Sequence, residues 1–98
     1  GDAELAELPH VGEVVATLPA EDVILSSAPF DSSARNSLPA TVLAVVPRGS
    51  TVQVYLDAGF PLTAMLTRES CRELDLAPGS RAVATFKASA VHVIPVDP

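Results

Sequence analysis

The chain has 98 residues, 48% hydrophobic and 18% charged, which suits one small domain and is too apolar for a disordered chain. Its formal net charge of −6 argues against nucleic acid or an anionic membrane as partner, and no apolar stretch reaches the roughly 20 residues of a membrane span. Because there is a single cysteine, Cys71, the chain cannot form a disulfide framework, and a reducing compartment is favoured.

The charge is distributed unevenly along the chain. Residues 1–33 contain seven acidic residues and no Lys or Arg, whereas residues 34–98 contain all six cations and five acids. A small anion can be held despite a negative net charge, because such a site uses a few aimed donors. The sequence therefore leaves open a local anion site in its second part.

Turn residues divide the chain into short segments that are typical of strands. Residues 1–10 are an acidic lead-in, two strands follow, and residues 26–33 form a linker to the remaining strands. Alternation with polar neighbours is clearest at Val52, Val54 and Leu56, which predict one buried strand face. The predicted strands cover residues 11–18, 22–26, 41–46, 51–57, 61–66, 81–86 and 91–94.

One short helix is predicted before the fourth of the five later strands. Thr67 can cap its N-terminus, Glu69 lies in its first turn and Pro78 ends the segment. This order of elements indicates an all-β fold, a small five-stranded Greek-key barrel of the OB type. The two upstream strands either extend the barrel or belong to a neighbouring half-barrel. We therefore divide the chain into a lead-in over residues 1–32 and a barrel domain over residues 33–98.

Residue spacing does not support a catalytic or metal site. His10, His92 and Cys71 lack the paired spacing of metal ligands, so we predict no protein-ligated metal. Ser33, His10 and Asp31 contain the residue types of a catalytic triad but not the turn that exposes a nucleophile. The phosphate-binding pattern Gly-x-x-x-x-Gly-Lys-Ser/Thr is missing from the sequence, and we predict that this chain is not an enzyme.

Polar donors cluster at three places along the second part of the chain. Residues 32–37 hold three hydroxyls, an amide and a guanidinium, and they precede the strand predicted at 41–46. Lys87, the chain's only lysine, is followed by Ser89, and residues 67–70 surround the predicted helix start. Such donors suit an oxyanion, although a polar turn, a solvated lysine and a helix cap explain the same clusters without a ligand.

Four blocks of residues occur in a fixed order through these clusters. They are Ser33, Ala34, Arg35 and Asn36 followed by Leu38; Leu66, Thr67, Arg68, Glu69 and Ser70; Leu74 through Gly79; and Phe86, Lys87, Ala88 and Ser89. In their order and spacing the blocks resemble the Mop, or TOBE, molybdate-binding domain. Residues 20–26 resemble the segment that precedes this domain in ATPase subunits of molybdate ABC importers, so the chain is similar to the C-terminal regulatory domain of such a subunit.

The resemblance implies molybdate or tungstate as bound ligand, held at an interface between two copies of the domain. Matched to the family's motifs, the oxyanion-binding residues would be Ser33, Arg35, Asn36, Lys87, Ala88 and Ser89, with Thr67 and Ser70 as further candidates.

The same resemblance implies the partners and the location of the chain. It implies self-association as a dimer or higher, the nucleotide-binding domain of a parent ATPase as partner, and a cytoplasmic position at the inner face of the membrane without insertion into it. Two alternatives stay open: a TOBE spacer or docking module with no anion site, and a free-standing molybdate storage protein.

Overall fold

The computed structural model describes residues 14–29 and 35–95. Its strands and helix, in chain order, are β1 (Val14–Thr17), β2 (Ile24–Ser26), β3 (Arg35–Arg48), β4 (Thr51–Asp57), β5 (Pro61–Thr67), α1 (Arg68–Glu73), β6 (Arg81–Lys87) and β7 (His92–Pro95). Short 3-10 turns at Ala20–Asp22 and Ala88–Ala90 precede β2 and β7. The predicted all-β class with one short helix is confirmed.

Five strands form one curled antiparallel sheet in the order β2-β6-β3-β4-β5, and β1 pairs with β7 in a separate sheet of two strands. The sequence predicts β7 as the fifth strand of the barrel, and this is wrong because β2 takes that place beside β6. β2 carries Leu25 into the core, whereas all four residues of β7 are exposed. Of the two upstream strands, β2 extends the main sheet and β1 does not.

The core lies inside the curl of the five-stranded sheet. Val52, Val54 and Leu56 of β4 are buried, which confirms the predicted alternation, while Thr51 and Gln53 are only half-buried. Cys71 of α1 joins the same cluster. Among the described residues, no buried side-chain nitrogen or oxygen lacks a hydrogen-bond partner.

Strand β3 begins at Arg35 rather than at Thr41, so the prediction that Arg35, Asn36 and Ser37 precede the strand is wrong. The first residues of β3 are polar and Pro39 follows them, so this part of the chain lacks the pattern typical of a strand. The ladder to β6 covers residues 35–41, and the ladder to β4 covers residues 41–48 apart from a bulge at Leu43. Each half of β3 therefore pairs on one side only in this sheet, and a proline is tolerated where a strand has a free edge.

The loop before β6 is tied to β3 by two backbone hydrogen bonds. The N–H of Gly79 donates to the carbonyl of Val42, and the N–H of Val42 donates to the carbonyl of Ser80, both at 2.8 Å. Gly79 has a φ of +92°, a conformation that L side chains rarely adopt. These bonds fix where β6 starts against β3, and hence which residues face each other further along the two strands.

Candidate functional site

Arg35 and Lys87 lie directly opposite each other at one end of the ladder between β3 and β6. Residues that face each other in an antiparallel pair project from the same face of the sheet, with Cβ atoms about 4.5–5.5 Å apart. Arg35 is half-buried and Lys87 is exposed. The fold thus brings together two cations that are 52 positions apart in the sequence.

Like charges placed directly opposite each other on neighbouring strands are unfavourable. An anion that contacts both side chains changes this repulsion into attraction, because each cation then has an opposite charge closer than the other cation. Guanidinium and ammonium groups both donate charge-assisted hydrogen bonds to oxyanions. This end of the β3–β6 ladder can therefore hold a small oxyanion, and we call Arg35, Lys87 and the turn that follows Lys87 the cation pair site.

The turn after Lys87 adds further polar groups to the cation pair site. Lys87 ends β6 with an extended backbone, and the 3-10 turn Ala88–Ala90 follows, closed by a hydrogen bond of 3.1 Å from the N–H of Val91 to the carbonyl of Ala88. Ala88 and Ser89 are exposed. The Ser89 hydroxyl is therefore accessible close to the lysine.

The sequence also predicts that Asn36 and Ser33 contact the anion. Asn36 faces Phe86 across the ladder, and the alternation of side chains along a strand places it on the opposite face from Arg35. Ser33 lies outside the described residues. The register brings Arg35 and Lys87 together but not Asn36, and the roles of Asn36 and Ser33 stay predictions.

Thr67 and Ser70 are not neighbours of the cation pair in the register. Thr67 pairs with Thr51, which pairs with Arg48 at the other end of β3 from Arg35. The Thr67 hydroxyl oxygen accepts the Ser70 N–H at 3.1 Å and donates to the Ser70 hydroxyl at 3.0 Å. The predicted N-cap is thereby confirmed. The Ser70 hydroxyl only accepts in this pair and keeps its own hydrogen, and the anion contacts of Thr67 and Ser70 stay predictions.

Replacing Thr67 with Ala is expected to lower the free energy of unfolding by about 1 kcal/mol, because the cap of α1 is lost. Chemical unfolding followed by circular dichroism measures this change. Thr67→Ser keeps the hydroxyl and should retain most of the stability. Equal losses in the two variants would contradict the capping role.

A pair of hydroxyls lies next to the cation pair on the same sheet face. The Oγ atom of Ser37 and the Oγ1 atom of Thr85 are 2.9 Å apart, and Thr85 is completely buried. Ser37 faces Thr85 two positions from the rung that joins Arg35 and Lys87. The only signal for Thr85 in the sequence is a hydroxyl residue within the apolar stretch 82–86.

An apolar cleft of about 350 Å³ adjoins the turn that follows Lys87. Phe86 and Val91, which flank the residues of this turn, line the cleft together with Leu18, Phe60 and Leu62. Phe86 lies on the opposite face of β6 from Lys87, and neither Arg35 nor Lys87 lines the cleft. The cleft is therefore separate from the cation pair site.

A second group of cations lies at helix α1. Arg68 and Arg72 line a depression of about 300 Å³ with Cys71 and Asp75. The Arg68 guanidinium is already engaged, because its Nε and Nη2 atoms donate to the carbonyl of Gly49 at 3.0 and 2.6 Å. Asp75 adds a negative charge, which disfavours an oxyanion in this depression.

Within residues 14–29 and 35–95, no group of three or more His, Cys, Asp or Glu side chains is arranged to hold a metal ion. The same part of the chain contains no helix of the length and hydropathy needed to cross a membrane.

Comparison with known proteins gives one family match and several relatives. The family model described as the TOBE domain matches residues 32–93. The chain is 39% identical over 83 residues to the molybdate/tungstate import ATP-binding protein WtpC of Pyrococcus abyssi. The aligned region is 84% of this chain and 24% of that protein. The chain is 47% identical over 76 residues to the molybdenum import ATP-binding protein ModC 1 of Azotobacter vinelandii. This alignment spans 74% of this chain and 21% of that protein.

Among solved structures, the chain resembles the cytoplasmic molybdate-binding protein ModG in a crystal form with molybdate bound. The TM-score is 0.74 at 36% sequence identity, and the match covers 85% of this chain and 62% of ModG. The chain therefore shares its fold with a molybdate-binding protein and spans about a quarter of the length of the import ATP-binding proteins that it matches.

Proposed function

Because the chain belongs to the TOBE domain family, we propose that it binds molybdate or tungstate as the regulatory domain of a molybdate import ATPase. The observation that carries the proposal is the position of Arg35 directly opposite Lys87. Two facing cations at the end of a ladder offer an oxyanion two donors of charge-assisted hydrogen bonds. The molybdate-bound structural neighbour indicates which class of anion this is.

The donors of the cation pair site match a fully deprotonated tetrahedral dianion. Arginine and lysine side chains only donate hydrogen bonds, and molybdate and tungstate only accept them at neutral pH. Hydrogen phosphate brings a proton that needs an acceptor, and sulfate is smaller than the two metal oxyanions. We expect the site to prefer molybdate and tungstate over both.

One copy of the chain supplies donors from one side only, so we infer that a second copy completes the site. Arg35, Lys87 and Ser89 lie at one end of the β3–β6 ladder, and Lys87 and Ser89 are exposed. A buried dianion needs donors around all of its oxygens, since an unmatched charge in a low-dielectric site is costly. A dimer, or a larger assembly, would provide donors from the opposite side.

The parent protein in this proposal is a transport ATPase whose nucleotide-binding domain is the partner of this chain. The oxyanion-binding domain in this proposal spans residues 33–98, and β2, within the lead-in 1–32, extends its sheet. The domain would lie at the cytoplasmic face of the membrane. Molybdate bound between two copies stabilises one arrangement of the transporter and reduces import when intracellular molybdate is plentiful. The anion can shift this equilibrium only by the difference in its affinity for the two arrangements.

A molybdate store is the second candidate function, and the likeness to cytoplasmic ModG favours it. Both candidates need the same anion site and differ in the attachment of the chain to an ATPase. In a full-length parent protein, ATP hydrolysis that falls as molybdate is added would favour the regulatory role. Hydrolysis that is unaffected by molybdate, in a protein that binds the anion, would favour storage.

Thermal unfolding with and without the anion tests the binding step. At 100 times its dissociation constant, molybdate should stabilise the domain by about 2.7 kcal/mol. For a domain of this length, that corresponds to a rise in melting temperature on the order of 10 °C or more. Tungstate should act similarly, and sulfate at the same ionic strength is the control. Equal shifts with sulfate and molybdate, or no shift with molybdate, would contradict the proposal.

A further inference from the structure

The hydroxyls of Ser37 and Thr85 form a side-chain hydrogen bond that joins β3 to β6 two positions from the cation pair. Their oxygens are 2.9 Å apart, and the Thr85 side chain is fully buried on the sheet face that carries Arg35 and Lys87. A buried hydroxyl is costly without a partner, so Ser37 and Thr85 favour one another's position strongly.

We propose that the Ser37–Thr85 hydroxyl pair is a positioning element that holds Arg35 opposite Lys87 and thereby sets the affinity of the oxyanion site. The identity of the ligand in this inference rests on the proposed function. The geometry rests on the register of β3 and β6. Neither hydroxyl is assigned a contact with the anion.

Such an element opposes the repulsion between like charges. Arg35 and Lys87 face each other at the end of the ladder, where β6 gives way to a turn, and facing like charges weaken strand pairing. The Ser37–Thr85 bond ties the strands together two positions further in. A shift of one residue in register would move Lys87 to the other face of the sheet, away from Arg35.

The effect of the Ser37–Thr85 hydrogen bond can be measured separately from the effect of side-chain packing. Valine has nearly the shape of threonine, and alanine nearly that of serine, so the double variant S37A/T85V removes both polar groups and keeps most of the volume. Replacing both partners of a hydrogen bond by apolar groups of similar shape is close to neutral for stability. A loss of affinity in this variant would therefore report on positioning rather than on unfolding.

The test compares wild type with S37A/T85V, with T85S, which retains the hydroxyl, and with T41V. Thr41 lies on the same face of β3 but opposite Arg81, at the far end of the ladder to β6. Two quantities are measured: amide hydrogen exchange of residues 35–37 and 85–87 without anion, and molybdate affinity by calorimetry. Melting temperatures confirm that each variant is folded.

For S37A/T85V we expect a melting temperature within about 3 °C of wild type. Exchange at the cation pair should be about tenfold faster, and molybdate binding about tenfold weaker. T85S and T41V should behave as wild type in both measurements.

Three results would overturn the inference: unchanged molybdate affinity in S37A/T85V, faster exchange spread evenly over the whole ladder, or a T85S variant that behaves like the double variant. A wild-type protein that binds no molybdate would contradict the proposed function instead. In that case the exchange rates at residues 35–37 and 85–87 still decide whether the hydroxyl pair holds the two cations in place.

Discussion

Replacing Arg35 or Lys87 with Ala is expected to weaken molybdate binding by about tenfold to a hundredfold in each case. The estimate follows from the loss of one charge-assisted hydrogen bond, about 1.5–3 kcal/mol, where 1.4 kcal/mol corresponds to a factor of ten in affinity. The double variant should lose binding at any practical concentration. Isothermal titration calorimetry with molybdate measures all three variants against wild type.

The matched controls are R81A and R48A. Arg81 and Arg48 are exposed strand residues, each at an end of a strand that also carries one of the cation pair. Removing either lowers the positive charge of the domain by the same amount as R35A does, so a general charge effect would weaken binding in all single variants equally. That outcome, or wild-type affinity in K87A, would contradict the assignment of the site.

Replacing Leu56 with Ala should produce the largest loss of stability, about 2–5 kcal/mol, because it opens a cavity in the core. Leu56 is 1% exposed and lies between Val42 of β3 and Leu62 of β5 in the register. Urea unfolding without anion gives the free energy of unfolding. A loss of this size is a large fraction of the 5–15 kcal/mol typical of a whole domain.

Leu43→Ala is the control for this change, since it deletes the same atoms from a side chain that is 56% exposed at the bulge of β3. Exposed substitutions away from special features usually change stability by less than about 0.5 kcal/mol. Similar losses in L56A and L43A would show that the core does not lie inside the curl of the five-stranded sheet.

Local patterns were sufficient for much of the fold. Alternation in β4 identified its buried face, and the Thr67 cap identified the start of α1, because both signals depend on residues within a few positions of each other. The sequence pattern does not indicate the start of β3, because its first residues are polar and Pro39 interrupts the alternation. Only the register explains why a proline fits there, since that part of β3 pairs with β6 alone.

Sequence patterns do not predict which strands pair when the strands are far apart in the sequence. Nothing in residues 91–94 distinguishes a barrel strand from one that pairs with β1 outside the main sheet, because both choices suit a short apolar stretch. The motif resemblance named Arg35 and Lys87 separately. Their position on facing strands, and the Ser37–Thr85 bond beside them, depend on a register that only the folded chain defines.

The location of the bound metal oxyanion tests the account most directly. Molybdenum scatters X-rays anomalously near its absorption edge. A crystal grown with molybdate therefore shows the position of the ion directly, whatever the interpretation of the surrounding protein density. We predict one anomalous peak within hydrogen-bonding distance of the Arg35 guanidinium and the Lys87 ammonium, with donors from a second copy on its other side. A peak elsewhere, for example beside Arg68 and Arg72, or a site enclosed by a single chain, would contradict the account.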